Sequence, residues 1–175
     1  GLGGWKIFER YMRHLLCKKP ATEFQCRKCV GMTDDAYKNL VPITLGGCVR
    51  IKFTIHIIEA AKKTPNTVFY STDQYLKLID FVYRDYKNHF HAFQATIGKT
   101  HKATPKYIKE LQKKVGGGKN LSLYYLVPAE TFHGFVTHPV NPGIKDEGIT
   151  CDIYHVKVPK PNDESTVTAK EEQEI

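Results

Sequence analysis

The chain has 175 residues, 41% of them apolar, which suits one domain with a buried core and at most a tail. Its 26 lysines and arginines against 18 aspartates and glutamates give a net charge of +8. Such a charge favours a polyanionic partner, although a charge that serves only solubility is an alternative. No apolar run approaches the roughly 20 residues of a membrane span, and no secretory signal is evident, so we expect no membrane insertion.

The five cysteines show no disulfide-scaffold spacing, which favours a reducing compartment such as the cytosol or nucleus. Cys26 and Cys29 form a CxxC pair, which would need two further ligands to hold a structural zinc ion. Two half-buried thiols on a strand are the simpler interpretation. Because the chain does not begin with Met, we expect it to be a fragment of a longer protein.

The first half of the chain is predicted to contain one helix followed by strands. Apolar residues recur at three- and four-residue spacing through 4–17, which predicts an amphipathic helix that Pro20 ends. Residues 22–30 alternate weakly, as in a strand. Residues 49–61 begin with a clear period-two alternation of apolar side chains, which predicts a strand before the turn at 64–66.

The second half is predicted to contain a β-hairpin and a helix. The apolar runs 76–83 and 90–97 are joined by the polar connection 84–89, which is typical of two paired strands. Thr104 and Pro105 are the capping residue and the first residue expected of a helix. Three further elements are a strand over 121–127, a short helix over 128–135 and a strand over 151–158.

This order of elements predicts an α/β fold with a central mixed β-sheet flanked by helices. We expect one domain over 1–158 and a flexible acidic tail over 159–175, where apolar residues give way to acidic and hydroxyl side chains. If 151–158 lies at an edge of the sheet, it could pair with a second copy of the chain and form a homodimer.

Residues suited to metal and phosphate chemistry lie on and near the hairpin. Asp80 and Gln94 would offer a carboxylate and an amide oxygen to Mg²⁺ or Mn²⁺, and Glu9 of the first helix could join them. Lys99 could stabilise charge that develops on a phosphate, and His101 could contact phosphate or carry a proton. Each residue also has a purely structural interpretation, such as a strand cap or a solvated surface residue.

The chain resembles the restriction-endonuclease-like, PD-(D/E)XK-type domain of the Crinkler and retrotransposon hot spot (RHS) protein group. The resemblance covers most of residues 4–135 and implies a core in α-β-β-β-α-β order. It rests on GWKIFERYMRHLL at 4–16, LIDFVY at 78–83, FQATIGKTH at 93–101 and LYYLVPAETFHGF at 123–135.

The resemblance implies a metal-dependent endonuclease, of DNA more than of RNA. In this comparison Glu9 matches the helix acid, Asp80 the strand acid, and Gln94 the acid-or-glutamine position of the next strand. Thr96 stands where the superfamily usually has lysine, and Lys99 is the candidate to assist instead. The group also implies an upstream NTPase module in the parent protein, and a nuclear location or delivery into a host cell as an effector.

Basic and aromatic residues interleave at 83–91 and at 104–114. The second segment could follow a phosphate backbone while its aromatic residues stack on bases, or it could be a solvated helix face. Two other functions stay open beside a nuclease. One is a degenerate, non-cleaving version of the fold that binds DNA or a protein, and the other is a plain interaction module.

Overall fold

The computed structural model describes residues 2–29, 40–71, 79–98, 100–102, 105–138, 148–160 and 171–173, with the backbone alone for 2–5, 100–102, 136–138 and 171–173. The helices are α1 (Leu2–Leu15), α2 (Ile57–Lys63) and α3 (Pro105–Lys114), with a 3-10 turn at Gly118–Asn120. The first six strands are β1 (Thr22–Lys28), β2 (Val41–Leu45), β3 (Arg50–Phe53), β4 (Thr67–Tyr70), β5 (Phe81–Arg84) and β6 (Phe90–Ala95). The others are β7 (Thr100–Lys102), β8 (Leu121–Pro128), β9 (Val136–His138), β10 (Asp152–Val158) and β11 (Glu171–Gln173).

Nine of the described strands form one mixed sheet in the order β11-β3-β4-β5-β6-β8-β10-β1-β2. At its centre β5 runs antiparallel to both of its neighbours, β4 and β6, and α3 lies in the connection from β6 to β8, which is parallel to β6. A separate parallel pair joins β7 to β9. The predicted α/β fold, with a central mixed sheet flanked by helices, is confirmed.

The sheet buries an apolar core on each face, because side chains alternate between the faces along every strand. Along β6, Phe93 belongs to the core under α1, whereas Phe90 and Ala92 belong to the core under α2 and α3. Met12 of α1 and Leu16, directly after the helix, are fully buried in the first of these cores. This two-sided burial explains why β8 is apolar along almost its whole length.

The predicted hairpin is confirmed in β5 and β6, which pair from Phe81↔Phe93 to Arg84↔Phe90. Asp80 lies immediately before β5 rather than within it. The helix predicted to begin at Pro105 is also confirmed and ends at Lys114. These elements are local in sequence, so apolar periodicity and turn residues were sufficient to predict them.

The strand predicted from the alternation over 49–58 is wrong in its second half. The strand ends at Phe53, and α2 begins at Ile57. Ile55, which would continue the alternation, is 57% exposed, whereas Ile57 and Ala61 are buried one helical turn apart. Packing on a helical stripe therefore overrides the period-two pattern here.

The short helix predicted over 128–135 is also wrong, because this segment is a series of turns. The Ala129 N–H donates to the Val158 carbonyl at 2.9 Å, which ties the segment to β10. The guanidinium of Arg27 donates to the carbonyls of Phe132 and Phe135, each at 2.9 Å. A buried side chain from β1 thus supplies donors to two backbone carbonyls of this turn segment.

The prediction that 151–158 forms a sheet edge is wrong. β10 lies inside the sheet, parallel to β8 on one side and antiparallel to β1 on the other. Both of its backbone edges are therefore paired, and the strand cannot add a second copy of the chain. The suggested homodimer depended on an unpaired edge of this strand, so the structure gives no support for it through β10.

Most of the predicted tail, 159–175, lies outside the described residues. Within it, Glu171–Gln173 forms β11, which pairs in parallel with β3. In the described part of the chain, no helix combines the length and apolar character needed to cross a membrane.

Candidate active site

Asp80 and Gln94 meet at the open end of the β5–β6 hairpin. The Asp80 N–H donates to the Phe93 carbonyl at 2.7 Å, which extends the strand pairing by one step. Asp80 Oδ2 accepts the backbone N–H of Ala95 at 2.8 Å and the side-chain Nε2 of Gln94 at 3.3 Å. Gln94 is 8% exposed. The hairpin therefore brings together the acid and the amide that the sequence singled out.

Helix α1 adds a second acid together with an arginine. Glu9 and Arg13, one helical turn apart, form an ion pair at 3.2 Å, and both side chains are nearly inaccessible to solvent. The Arg13 guanidinium lies 3.9 Å from the centroid of the Tyr70 ring, a cation–π contact with the last residue of β4. Met12 on the same helix and Leu16 directly after it are buried and fix its position on the sheet.

Charge couples the helix to the hairpin. Burial raises the pKa of Asp80 from 3.8 to about 7, and the negative charge of Glu9 contributes to this rise. The hydrogen bond from the Ala95 N–H and the positive charge of Arg13 act in the opposite direction. The carboxylate of Asp80 is therefore destabilised near neutral pH, as is common for acids at sites that bind cations or transfer protons.

The donor atoms of this cluster suit a hard divalent cation. Carboxylate and amide oxygens are the ligands that Mg²⁺ and Mn²⁺ accept, and such ions usually keep several waters. A divalent ion would relieve the repulsion between Glu9 and Asp80 that contributes to the raised pKa. Within the described ranges, no three His, Cys, Asp or Glu side chains converge. An ion at this site would therefore depend on Gln94 and water in addition to the two acids.

The remaining predicted residues are placed less fully. Thr96, at the position of the usual lysine, is buried, and its Oγ1 accepts the Gly98 N–H at 3.3 Å. Lys99 lies outside the described residues, and so does the side chain of His101, whose backbone is part of β7. The structure brings Gln94 into contact with Asp80 and pairs Glu9 with Arg13, and the charges of that pair act on Asp80; these four residues are the candidate cluster.

Arg13 is the member of this cluster that the sequence analysis missed. Its signal was present in the sequence, since a base four residues after an acid on one helix is a common pairing. The same four-residue spacing places Arg13 beside Glu9, at the border of the apolar stripe that carries Met12 and Leu16. Only the fold shows that the charges of this pair act on Asp80.

The two thiols of the CxxC pair belong to opposite faces of the sheet. Cys26 belongs to the core under α1, and its Sγ donates to the Val41 carbonyl at 3.4 Å. Cys29 packs against the core on the other face of the sheet. Burial raises the pKa of Cys26 to about 11 and that of Cys29 to about 12, which disfavours the thiolates that zinc requires. The interpretation of two structural thiols fits this geometry.

A second polar cluster stabilises the turn at the far end of the hairpin. His91 bridges Asp85 Oδ2 at 2.8 Å and the Tyr124 hydroxyl at 2.9 Å, and His89 contacts Ser122 Oγ at 2.8 Å. Burial raises the pKa of Asp85, but its hydrogen bonds from His91 and the backbone outweigh burial, so the net shift is downward. Burial lowers the pKa of His91. In these contacts both histidine side chains have hydrogen-bond partners, and together they hold the turn in place.

Comparisons of the chain with protein-family models, with curated proteins and with solved structures found no match.

Proposed function

We propose that this chain is a nucleic-acid-binding domain with a restriction-endonuclease-like core, acting as a Mg²⁺- or Mn²⁺-dependent DNA endonuclease. The observation that carries the proposal is the contact between Gln94 and Asp80, on which the charge of Glu9 acts. The elements α1, antiparallel β4-β5-β6, α3 and parallel β8 support it, because they supply the α-β-β-β-α-β order of such a core, with β1, β2, β3 and α2 inserted after α1 and β7 before α3. The basic composition of the chain agrees with a phosphate-rich substrate.

In this proposal Glu9, Asp80 and Gln94 hold the metal. When bound, the ion would polarise the scissile phosphodiester and lower the pKa of an attacking water. The high pKa of Asp80 means that its carboxylate gains more from a nearby cation than an exposed carboxylate would. Lys99 would assist by stabilising phosphate charge, and His101 would contact phosphate.

The experiment is cleavage of supercoiled plasmid with Mg²⁺ or Mn²⁺, compared with the same reaction in EDTA. Asp80→Asn and Glu9→Gln are expected to abolish metal-dependent nicking. Asp152→Asn is the matched control, because this acid pairs with Lys28 and lies in register with His91, at the turn end of the hairpin rather than at the Asp80 end. Equal nicking by wild type and Asp80→Asn would contradict the assignment.

Metal binding can be tested without cleavage. Mn²⁺ or Mg²⁺ should raise the melting temperature of the wild type, because a ligand that binds only the folded state stabilises it. Asp80→Asn should remove that increase, and Asp152→Asn should retain it. If metal raises the melting temperature of Asp80→Asn as much as that of the wild type, Asp80 is not a ligand.

A second candidate is a non-cleaving version of this fold that binds DNA or a protein as an effector or regulator. The ion pair of Glu9 with Arg13 favours it, because the guanidinium of Arg13 already neutralises the charge of Glu9, one of the two proposed acidic metal ligands. Thr96 in the lysine position favours it as well. A salt-dependent mobility shift of DNA without cutting would support this second function. The absence of both binding and cutting would leave an interaction module.

For either nucleic-acid function we propose a nuclear location, with delivery into a host cell as the alternative, and an upstream NTPase module in the parent protein. Microscopy of a fluorescent fusion separates nuclear accumulation from a uniform cellular distribution. A fusion of the chain that stays outside the nucleus would contradict an autonomous nuclear location.

A further inference from the structure

A basic cleft lies beside α2, over the outer part of the sheet. It has a volume of about 490 Å³, within the range of ligand-binding sites, and it is open to solvent. Its lining includes residues from β3, β4 and α2, with the buried Phe69 among them. The charged or titratable residues that line it are Arg50, Lys52, His56, Glu59 and Lys63.

Three cations and one acid line this cleft among the residues that the structure describes. Arg50 and Lys63 are exposed, and Lys52 is partly exposed. The acid is Glu59, which pairs with Lys62 at 3.4 Å. Cations concentrated in a concave surface raise the local concentration of anions more than the same charges spread over a convex surface.

One end of the cleft lies toward the strand ends near the candidate active site. The register runs across the sheet from Phe53 to Tyr70 and then to Phe81, the residue after Asp80. Thr54, which follows Phe53 and lines the cleft, donates its N–H to the Tyr70 carbonyl at 3.0 Å.

The cations Arg50 and Lys63 lie toward the other end of the cleft. Arg50 pairs with Thr67 at the start of β3, and the carbonyl of Lys62, next to Lys63, accepts from Arg84 at 3.1 Å. The cleft is on the face of the sheet that α2 covers, opposite α1.

We propose that this cleft binds the phosphodiester backbone of a nucleic-acid strand. This inference rests on the nucleic-acid binding in the proposed function, but binding in the cleft does not require cleavage. Arg50, Lys52 and Lys63 are the phosphate contacts, since guanidinium and ammonium groups are the usual partners of phosphate oxygens. Phe69 forms an apolar part of the wall.

The test is fluorescence polarisation of a labelled single-stranded oligonucleotide in EDTA, so that no metal-dependent cutting occurs. The triple variant Arg50→Gln, Lys52→Gln and Lys63→Gln should weaken binding at least about tenfold at low salt. It should also reduce the slope of log affinity against log salt by about two, because three phosphate contacts are lost. Melting temperatures of all variants verify that they are folded.

The matched control removes the same charge from a rival basic surface. Lys106, Lys113 and Lys114 are exposed on α3, and their triple replacement by Gln should weaken binding much less. Glu59→Gln provides a change of opposite sign and should tighten binding roughly threefold, because it removes the one acid of the cleft. A variant with a damaged fold would not bind the oligonucleotide more tightly than the wild type.

The outcomes separate this inference from the proposed function. Equal losses in the two triple variants, or unchanged affinity in the cleft variant, would overturn the cleft as the binding site whether or not DNA is cut. Tighter saturable binding of a mononucleotide than of the oligonucleotide would also overturn it. If the cleft variant alone loses binding while wild type never cuts DNA, the cleft is supported and the endonuclease fails.

Discussion

The carboxylate of Glu9 and the guanidinium of Arg13 form a nearly inaccessible ion pair at 3.2 Å, and the charges of both act on Asp80, the acid that precedes β5. Removing one partner of such a buried pair leaves an uncompensated charge. The positive charge of Arg13 also opposes the upward shift in the pKa of Asp80. The charge of Arg13 therefore stabilises the ionised forms of both Glu9 and Asp80.

Arg13→Gln should destabilise the protein by about 3 kcal/mol, because it strands the buried charge of Glu9 and removes the contact with Tyr70. Chemical denaturation at neutral pH measures the loss. The control is Asp152→Asn, which breaks the exposed pair with Lys28 and should cost less than about 1 kcal/mol. Equal losses would show that the Glu9–Arg13 pair behaves like a surface pair.

Asp80 should make the metal-free protein less stable as pH rises. Its pKa is about 7 in the folded state against an ordinary 3.8, so the folded state binds the proton more tightly between these values. This contribution is complete below about pH 4 and is lost as pH rises through 7. Asp80→Asn carries no charge at any pH. Its stability relative to wild type should therefore rise by a few kcal/mol between pH 4 and pH 8.

Urea midpoints in EDTA at pH 4, 5.5 and 8 measure this difference. Because every comparison is made at one pH, titrations elsewhere in the protein cancel. A difference that stays constant across this range would show that the pKa of Asp80 is not raised.

His155 should produce the opposite pH trend. Burial lowers its pKa from 6.5 to about 3, and the neighbouring charge of Arg27, whose Nε donates to His155 Nδ1 at 3.2 Å, contributes to this decrease. The unfolded state therefore takes up the proton first. The stability that neutral His155 contributes is present above about pH 6.5 and is lost as pH falls toward 3.

His155→Asn keeps an acceptor for Arg27 but cannot be protonated. It should be less stable than wild type at pH 7 because it fills less of the core, and this deficit should shrink on acidification. Urea denaturation at pH 7 and pH 4.5 tests this. A deficit of the same size at both pH values would mean that His155 titrates normally in the folded protein.

Gly46 follows β2 in a conformation that excludes a side chain. Its φ is +98°, and a Cβ atom there would lie 2.6 Å from the Leu16 carbonyl oxygen. Gly46→Ala should destabilise the protein by about 3 kcal/mol, from both the strain and the backbone collision. Thermal denaturation measures the shift. Gly134→Ala is the control, because a Cβ atom at that position would have no neighbouring atom within 4 Å, and it should have little effect.

Local patterns were sufficient for some elements and failed for others. The hairpin at 81–95 and the helix from Pro105 were predictable because their periodicity and turns lie within a few residues of one another. The helix at Ile57–Lys63 was not, because the alternation of isoleucines that predicts a strand continues into it. The helical spacing of its buried residues is seen only in the structure, where Ile57 and Ala61 pack against the sheet.

The candidate site was predictable in part. Asp80 and Gln94 are joined by a short turn, so their contact follows from the hairpin register. The basic cleft was missed because only the apolar half of the alternation over 49–53 was considered, while Arg50 and Lys52 occupy the other half. Lys63 joins them only because the chain turns into α2 after β3.

The amino-acid sequence by itself determined the basic charge, the α/β class and the pairing of the Asp80 and Gln94 strands, since composition and local periodicity specify them. The tertiary structure alone decided that β10 is interior, that the charges of Arg13 and Glu9 act on Asp80, and that three cations line one cleft. These relationships join residues far apart in the chain. Their partners are selected by burial and strand pairing over the whole fold, which no local pattern encodes.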